Sequence, residues 1–298
     1  MQSYDIVTIG NYTKDTIVSS AGTRHVDGGG YSYAAHAARL RGLSVAAVTR
    51  LAAEDRPSTD ALRAKGVDVH VFESPQSTLM QLEYPTSNVD ERMLTVASVA
   101  KPFTPELLAP FSARAFIVNG SARGEASLEV MQSLKEKGGL LCADVQGFVR
   151  IVDGAGRLRY ERWPEQADIL GLVDILKTDA VEAEFLTGES DIRRAAQALA
   201  DDGPSEIVLT HRGGLLVLAD GSFHEAAFHP EVLRGRSGRG DTCMGSYVSS
   251  RLDASPAEST VWAAAVTSLK MEQEGPIMRS ADDVAALIDR RYRPARSH

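Results

Sequence analysis

The sequence is short of positive charge and of cysteine, and each shortage excludes a class of protein. Its 298 residues carry a formal net charge of −8 at pH 7, whereas a nucleic-acid binder needs a basic surface to neutralise phosphates. The two cysteines, Cys142 and Cys243, lie among apolar or small residues without the spacing of a metal site. We therefore expect no nucleic-acid partner and a reducing, cytoplasmic compartment.

Long hydrophobic runs are also lacking. The apolar stretch near the N-terminus is far shorter than the roughly 20 residues that cross a bilayer, so we expect no membrane partner. At 43% hydrophobic and 24% charged residues, the composition is that of an ordinary globular protein. The length allows one large domain or two modest ones. Because no linker interrupts the pattern, we predict a single domain over residues 1–298.

Short β-rich runs alternate with segments of helical periodicity along most of the chain. The predicted strands are Asp5–Gly10, Val45–Thr49, Ala115–Asn119, Leu140–Asp144, Ile175–Lys177, Ile207–Thr210 and Leu215–Leu218. The predicted helices are Ala34–Leu40, Thr59–Lys65, Ser127–Lys137, Ala180–Leu186 and Ile192–Ala200. This alternation predicts an α/β fold whose mainly parallel central sheet has helices on both faces. Ligands of such sheets bind beyond the carboxyl ends of the strands, which makes the residues there candidates for a site.

Two stretches, at about 11–27 and 69–96, break the alternation because no helix separates their apolar runs. Within the second, Gln76–Tyr84 and Glu91–Val96 are predicted strands joined around residues 85–88. We interpret the two stretches as a small β lid over the site, although an extension of the sheet fits the same pattern. Their exposed edges could also pair between two copies in a homodimer.

The run Gly238-Arg239-Gly240-Asp241 is the segment richest in chemistry. Helix-compatible residues follow it, and Asp241 and Thr242 are good residues for the start of a helix. The free N–H groups of a first helical turn, approached closely through glycine, can bind an anion. A carboxylate beside that anion would repel phosphate but could accept a proton from an attacking hydroxyl, which makes Asp241 a candidate base. A loop in which Asp241 only caps the helix fits the residues equally well.

Four segments, in order and at the right separations, resemble the PfkB carbohydrate kinase family, also called ribokinase-like. Together they cover nearly the whole chain. Gly238–Asp241 is similar to the end of the family signature Asp-Thr-x-Gly-Ala-Gly-Asp, with Arg239 in place of alanine. The other matches are Asp5–Gly10 followed by Asp15 (first strand and substrate-binding aspartate), Gly28-Gly29-Gly30 (diglycine hinge) and residues 177–188 (the Asn-x-x-Glu segment).

The resemblance implies a ribokinase-like fold and an ATP-dependent kinase that phosphorylates a hydroxyl of a sugar, polyol or nucleoside. Asp241 would take the hydroxyl proton, and the amides of Gly238–Gly240 would stabilise the transferred group. Asp15, whose carboxylate can accept two hydroxyl hydrogen bonds, would bind the acceptor with Gly28, Gly29 and Ser32. Tyr33 is the alternative to Ser32. From the residues alone, an ordinary loop aspartate is favoured at Asp15, and a plain turn fits Gly28–Gly30 equally well.

The donor side follows from the same resemblance. Thr210 and Gly213, at the end of a strand, would contact ATP, and Trp262–Gly275 would form the far wall of an adenine pocket. A tight β-turn is the alternative at Thr210 and Gly213. We interpret Asp144 and Arg150 as a structural pair or as groups that shape the phosphate side.

Departures from the family pattern affect the cation sites. Asp179 replaces the motif asparagine, yet Asp179 and Glu182 should still hold hydrated Mg²⁺ through carboxylate oxygens. A capped first helical turn fits the same two residues. The signature's first Asp-Thr is replaced by Gly235-Arg236, so the sequence gives no support to the monovalent cation found in many relatives.

The same departures motivate an alternative function, in which a catalytically inactive family member acts as a ligand sensor or regulator. The intact Asp241 and its glycines argue for a working enzyme instead. A dinucleotide-dependent oxidoreductase is disfavoured, because the first strand is not followed by Gly-x-Gly-x-x-Gly.

Overall fold

A computed structural model describes residues 2–20, 22–84, 93–235 and 237–293. The strands are β1 (Gln2–Ile9), β2 (Thr13–Ser19), β3 (Gly22–Gly28), β4 (Val45–Leu51), β5 (Asp68–Glu73), β6 (Thr78–Glu83), β7 (Met93–Ser98), β8 (Phe111–Val118), β9 (Leu140–Asp144), β10 (Arg150–Val152), β11 (Leu158–Tyr160), β12 (Ile175–Asp179), β13 (Glu206–Thr210), β14 (Gly214–Ala219) and β15 (Ser222–Ala227). The helices are α1 (Gly30–Arg39), α2 (Asp60–Ala64), α3 (Pro105–Leu108), α4 (Leu128–Lys135), α5 (Gln146–Val149), α6 (Gln166–Leu170), α7 (Ala180–Thr187), α8 (Ile192–Asp201), α9 (Arg239–Arg251), α10 (Pro256–Met271) and α11 (Ala281–Arg291). A 3-10 turn at Ala53–Thr59 precedes α2.

The central sheet has the strand order β15-β14-β13-β12-β9-β8-β1-β4-β5 within the described residues. The strands from β13 to β5 run parallel, and β14 and β15 add an antiparallel edge. The predicted mainly parallel α/β architecture is therefore confirmed. Because β8, β9 and β12 lie side by side, the residues that follow them meet at one edge of the sheet.

Helices cover both faces of this sheet, which is why its inner strands are apolar almost throughout rather than alternating. On β1, Ile6 packs into a core with residues of α1 and α9, while the next residue, Val7, packs into the opposite core with residues of α4 and α8. The sheet is thus held rigidly between two apolar layers. Among the described residues, no helix combines the length and apolar character needed to cross a membrane.

A second, smaller sheet has the order β3-β2-β6-β7. In it β2 and β6 run parallel, and each has an antiparallel partner at the edge. The small β lid is confirmed as part of the fold, but the prediction that its second segment begins near residue 69 is wrong. Residues 68–73 form β5, which pairs with β4 in the central sheet. The predicted connection at residues 85–88 lies outside the described residues.

Candidate functional site

A cleft of about 560 Å³ lies between the carboxyl edge of the central sheet and the small sheet. Thr13 and Asp15 of β2 and Leu82 of β6 line one side. Gly240 and Asp241, in the first turn of α9, line the other. The sheet edge and the glycine-rich helix start, predicted separately from the sequence, therefore meet in one cavity.

Asp241 lies in this first turn rather than at its cap. The helix begins at Arg239, and Gly238 is its N-cap, with a positive φ of 74°. The expectation that a helix starts around Asp241 and Thr242 is therefore confirmed. The interpretation of Asp241 as the helix cap is wrong, because Gly238 occupies that position.

The carboxylate of Asp241 is held by two side-chain amides. Its Oδ1 accepts hydrogen bonds from Asn119 Nδ2 at 3.1 Å and from Gln146 Nε2 at 3.2 Å. Asn119 directly follows β8, and Gln146 begins α5 just after β9. Because both donors are neutral, they orient the carboxylate without neutralising its charge.

Two glycines are required by close approaches in this part of the cleft. A Cβ on Gly30, the first residue of α1, would collide with Oδ1 of Asp241, and a Cβ on Gly240 would lie 2.5 Å from Nζ of Lys177. Only a residue without a side chain lets α1 and α9 approach these polar groups so closely. The glycine runs thus serve the site as well as the turns that contain them.

A buried ion pair lies beneath α9. Nζ of Lys177, in β12, is 3.0 Å from Oδ2 of Asp144 at the end of β9. Burial by itself lowers the pKa of Lys177, but the carboxylates of Asp144 and Glu182 outweigh it and raise the pKa above its ordinary value. Lys177 is therefore a permanent cation bordering the cleft. The predicted pairing of Asp144 with Arg150 is wrong, because Asp144 forms its ion pair with Lys177.

Arg150 pairs instead with Glu182. Its Nη2 lies 2.9 Å from Oε1 of Glu182, which is fully buried. The other oxygen, Oε2, accepts a hydrogen bond from the backbone N–H of Asp179, and Asp179 Oδ1 accepts one from the N–H of Glu182, which completes a capping box at the start of α7. Burial raises the pKa of Glu182, while the charges of Lys177 and Arg150 oppose that shift.

These contacts bear on the predicted magnesium ligands. Both oxygens of Glu182 are occupied by protein donors, whereas Asp179 borders the cleft. No group of three or more His, Cys, Asp or Glu side chains suited to a metal is found in the part of the chain that the structure describes. Of the two, only Asp179 could hold a hydrated Mg²⁺ that keeps most of its waters, and Glu182 would support Asp179 through the capping box.

The predicted acceptor residues divide into two groups. Asp15 and Gly29 border the cleft, and Gly29, with φ of 105°, is the N-cap of α1. Gly28 and Ser32 are not among its lining residues, whereas Tyr33, the alternative to Ser32, is. Gly28 lies behind the site, where an added Cβ would be 2.9 Å from Asp15 Oδ2.

The predicted nucleotide contacts divide in the same way. Thr210 is buried at the end of β13 and borders the cleft, together with His211 and Arg212. Gly213 is exposed and absent from the lining. No described residue of Trp262–Gly275 lines the cleft, and the Trp262 ring instead lies under the guanidinium of Arg41, with 5.2 Å between guanidinium carbon and ring centre.

Sequence reasoning missed the roles of Asn119, Gln146 and Lys177. Each lies at or near the carboxyl end of a predicted parallel strand. That position is a signal that could have identified them, but it does not say which amide reaches Asp241 or which lysine pairs with Asp144.

Comparisons with known proteins identify the family of the chain. The family model "pfkB family carbohydrate kinase" matches residues 4–282. One similar solved structure is described as a pyrophosphate-dependent kinase in the ribokinase family complexed with a pyrophosphate analog and myo-inositol. It is 34% identical, covers 94% of this chain and 99% of its own, and has a TM-score of 0.87. A sulfate complex of a pyrophosphate-dependent kinase in the same family is 35% identical, with the same coverage and a TM-score of 0.88.

A more distant similarity extends to a ribokinase of Arabidopsis thaliana complexed with ribose and ATP. It is 17% identical, covers 96% of this chain and 99% of its own, and has a TM-score of 0.77, which is a likeness of fold. A search of curated proteins finds no match. The family match spans nearly the entire chain, and the chain therefore belongs to the pfkB family of carbohydrate kinases.

Proposed function

We propose that this kinase transfers a phosphoryl group from pyrophosphate to a hydroxyl of a cyclic polyol such as myo-inositol. The observation that carries the proposal is the placement of the Asp241 carboxylate in the first turn of α9, held by Asn119 and Gln146 and open to the cleft. The two relatives at 34% and 35% identity are described as pyrophosphate-dependent, and one of them holds myo-inositol.

In the proposed reaction, Asp241 accepts the proton of the acceptor hydroxyl as its oxygen bonds to the phosphorus. The bond between phosphorus and the bridging oxygen breaks at the same centre, and inorganic phosphate leaves with the electron pair. The N–H groups at the start of α9, at Arg239 and Gly240, would face the charge on the transferred group. Lys177, beneath Gly240, adds a positive charge on the same side. Hydrated Mg²⁺ near Asp179 would, when bound, neutralise charge on the donor.

The donor side of the cleft favours a small, highly charged donor. Arg212 and Arg239 border it and can balance phosphate charges. Arg150 and Lys177 also border it and offer N–H donors, although their charges are paired with Glu182 and Asp144. Pyrophosphate is recognised by charge alone, whereas ATP also needs an apolar wall for its base. No described residue of Trp262–Gly275, the range expected to form that wall, lines the cleft.

ATP, the donor implied by the family resemblance, is the second candidate. It is favoured by Thr210, which borders the cleft at the end of β13, where the resemblance puts a nucleotide loop. The two donors differ in what they would contact beyond the phosphates, so a direct comparison of turnover with each one separates them.

The acceptor side suits a ring with polar edges. Asp15 can accept two hydroxyl hydrogen bonds, while Met80, Leu82 and Leu94 of the small sheet offer an apolar surface to the C–H face of a ring. An acceptor enclosed between a carboxylate and a hydrophobic sheet would be oriented as well as bound.

The test is a matrix of donors against acceptors, with Mg²⁺ present throughout. Pyrophosphate and ATP are each combined with inositols, pentoses, hexoses and nucleosides, and the phosphate monoester and the spent donor are quantified. We expect acceptor-dependent consumption of pyrophosphate with a cyclic polyol. Turnover with ATP alone would replace the donor assignment. Saturable polyol binding without consumption of either donor would favour the inactive sensor.

A further inference from the structure

A lysine that the proposed reaction does not use is buried behind the anion-binding turn. Lys270, in the last turn of α10, has 0% of its surface exposed. Among the described residues it forms no ion pair within 4 Å. Burying an unpaired charge costs far more free energy than burying an apolar side chain of the same size. The contacts of its ammonium group therefore need to supply something that methionine or leucine could not.

The ammonium of Lys270 joins elements that lead into α9. Its Nζ donates a hydrogen bond to the backbone oxygen of Gly235 at 3.2 Å. The N–H of Gly235 in turn donates to the carbonyl of Met271, at the end of α10, at 3.1 Å. The C-terminal end of a helix is electronegative, which favours a cation at this position. Gly235 is thus tied to α10 through both its N–H and its carbonyl group.

A second contact connects Lys270 with the cap of α9. Its Nζ lies 5.5 Å from the centre of the Tyr33 ring, within range of a cation–π interaction. The same ring packs so closely on Gly238 that a Cβ there would collide with it. Tyr33 also borders the cleft. Lys270 therefore braces the chain before α9 at Gly235 and, through Tyr33, at Gly238.

We propose that Lys270 is a positioning residue for phosphoryl transfer: its buried ammonium fixes the entry to α9 and holds a positive charge behind the anion-binding turn. This inference rests on the proposed function, because it assigns Lys270 to the same site. Lys270 acts through Gly235 and Tyr33 and does not itself touch the donor.

The charged groups that face Lys270 are Asp241 and Arg239 of α9, and the titratable group of α1 beside it is Tyr33. Burial lowers the pKa of Lys270 to about 8, Asp241 counteracts the shift and Arg239 adds to it. The ammonium form thus prevails at pH 7 and is lost as the pH rises through about 8. Support for the anion site should decline over the same range.

The first experiment removes the charge while keeping the shape, in the variant Lys270→Met. The matched control is Lys137→Met, which removes another lysine that donates to a backbone carbonyl, Ala109, but far from the cleft. We expect Lys270→Met to lower kcat about tenfold or more and to weaken pyrophosphate binding in calorimetry, because a preorganised charge at the anion site is lost. Lys137→Met should match the wild type in both. Equal kcat and equal pyrophosphate affinity in Lys270→Met would overturn the inference.

The second experiment separates charge from packing. In Lys270→Ala, added ethylammonium should restore part of the lost pyrophosphate binding. The same concentration of propanol, which is similar in size but uncharged, should not. Sulfate, whose charge is constant above pH 6, is the probe for the pH profile. Its binding to the wild type should weaken as the pH rises through about 8, and its binding to Lys270→Met should be weak and flat. Rescue by both additives, or parallel pH profiles, would show a packing role only.

Failure of the inference can be distinguished from failure of the proposed function. If the wild type turns over no donor, the proposed function fails, while anion binding by the wild type and Lys270→Met still decides the role of Lys270. If the wild type turns over pyrophosphate and Lys270→Met does so equally well, only the inference fails.

Discussion

Two carboxylates lie in the first turns of helices at this end of the sheet, and their surroundings differ in kind. Asp241, in the first turn of α9, is oriented by the neutral amides of Asn119 and Gln146. Glu182, in the first turn of α7, is buried against the Arg150 guanidinium and closes a capping box. A carboxylate held by neutral donors can take up a proton during a reaction, whereas one tied to a buried cation mainly maintains the fold. Variants of the two carboxylates and of the residues around them test this division between a chemical and a structural carboxylate.

The largest effect is expected from Asp241→Asn. The variant keeps the shape but removes the base, so kcat should fall about 10²- to 10⁴-fold while pyrophosphate binding persists. Steady-state kinetics and calorimetry on the same preparation measure both quantities. Turnover near that of the wild type would end the assignment of Asp241 as the base.

Glu182→Gln should act on stability first. Removing the charge breaks an ion pair whose carboxylate is fully buried and leaves the partly buried Arg150 without its partner. The free energy of unfolding should fall by about 3–5 kcal/mol. Urea denaturation measures the change. The matched control is Glu184→Gln, an exposed position on the same helix, where a shift within about 0.5 kcal/mol is expected. Equal stability of the two variants would show that Glu182 is not the structural carboxylate.

Gly30→Ala tests how closely the chemical carboxylate is fitted. The added Cβ would collide with Oδ1 of Asp241, and displacing a base by an ångström can cost about 10²-fold in kcat. Gly154→Ala is the control, because no atom lies within 4 Å of the Cβ it would add. If Gly30→Ala retains full activity, the position of Asp241 is less constrained than its contacts indicate.

The smallest effect is expected in the free energy of unfolding of Lys270→Met. This variant should be more stable than the wild type, whereas Glu182→Gln should be less stable. Burial lowers the pKa of Lys270 from 10.5 to about 8, so the folded state holds this proton less tightly than the unfolded state. The penalty is complete below about pH 8 and disappears as the pH rises toward 10.5. At pH 7 the variant should therefore be more stable, by about 1–3 kcal/mol. A lower free energy of unfolding at pH 7 would mean that Lys270 stabilises the fold.

Much of the fold could be predicted because its signals are local. The strand prediction Leu140–Asp144 matches β9 residue for residue, and a parallel sheet follows from the alternation of strands and helices. The start of the second lid segment was predicted wrongly, because residues 68–73 belong to the central sheet. An edge strand of a large sheet and a strand of a small sheet share the same short apolar pattern. Pairing decides between them, and pairing with β4 depends on tertiary contacts.

The site could be predicted at positions where a reactive residue type stands in a characteristic local pattern. Asp241 among glycines and Asp15 after the first strand both border the cleft. The partners of the buried lysines were not predictable. Lys177 pairs with Asp144 and Lys270 donates to a backbone carbonyl, but the sequence around a lysine does not distinguish the two cases. Charge pairing across a sheet depends on strand order, which the sequence of one chain does not contain.

The central claim is that this cleft carries out phosphoryl transfer, with Asp241 as its base. Phosphorus NMR of the wild type and Asp241→Asn, each mixed with Mg²⁺, pyrophosphate and a cyclic polyol, tests it most directly. The predicted result is a phosphate monoester signal that grows in step with inorganic phosphate in the wild type alone. Equal conversion by both proteins, or an unchanged pyrophosphate signal in a wild-type protein that binds the polyol and also consumes no ATP, would contradict it.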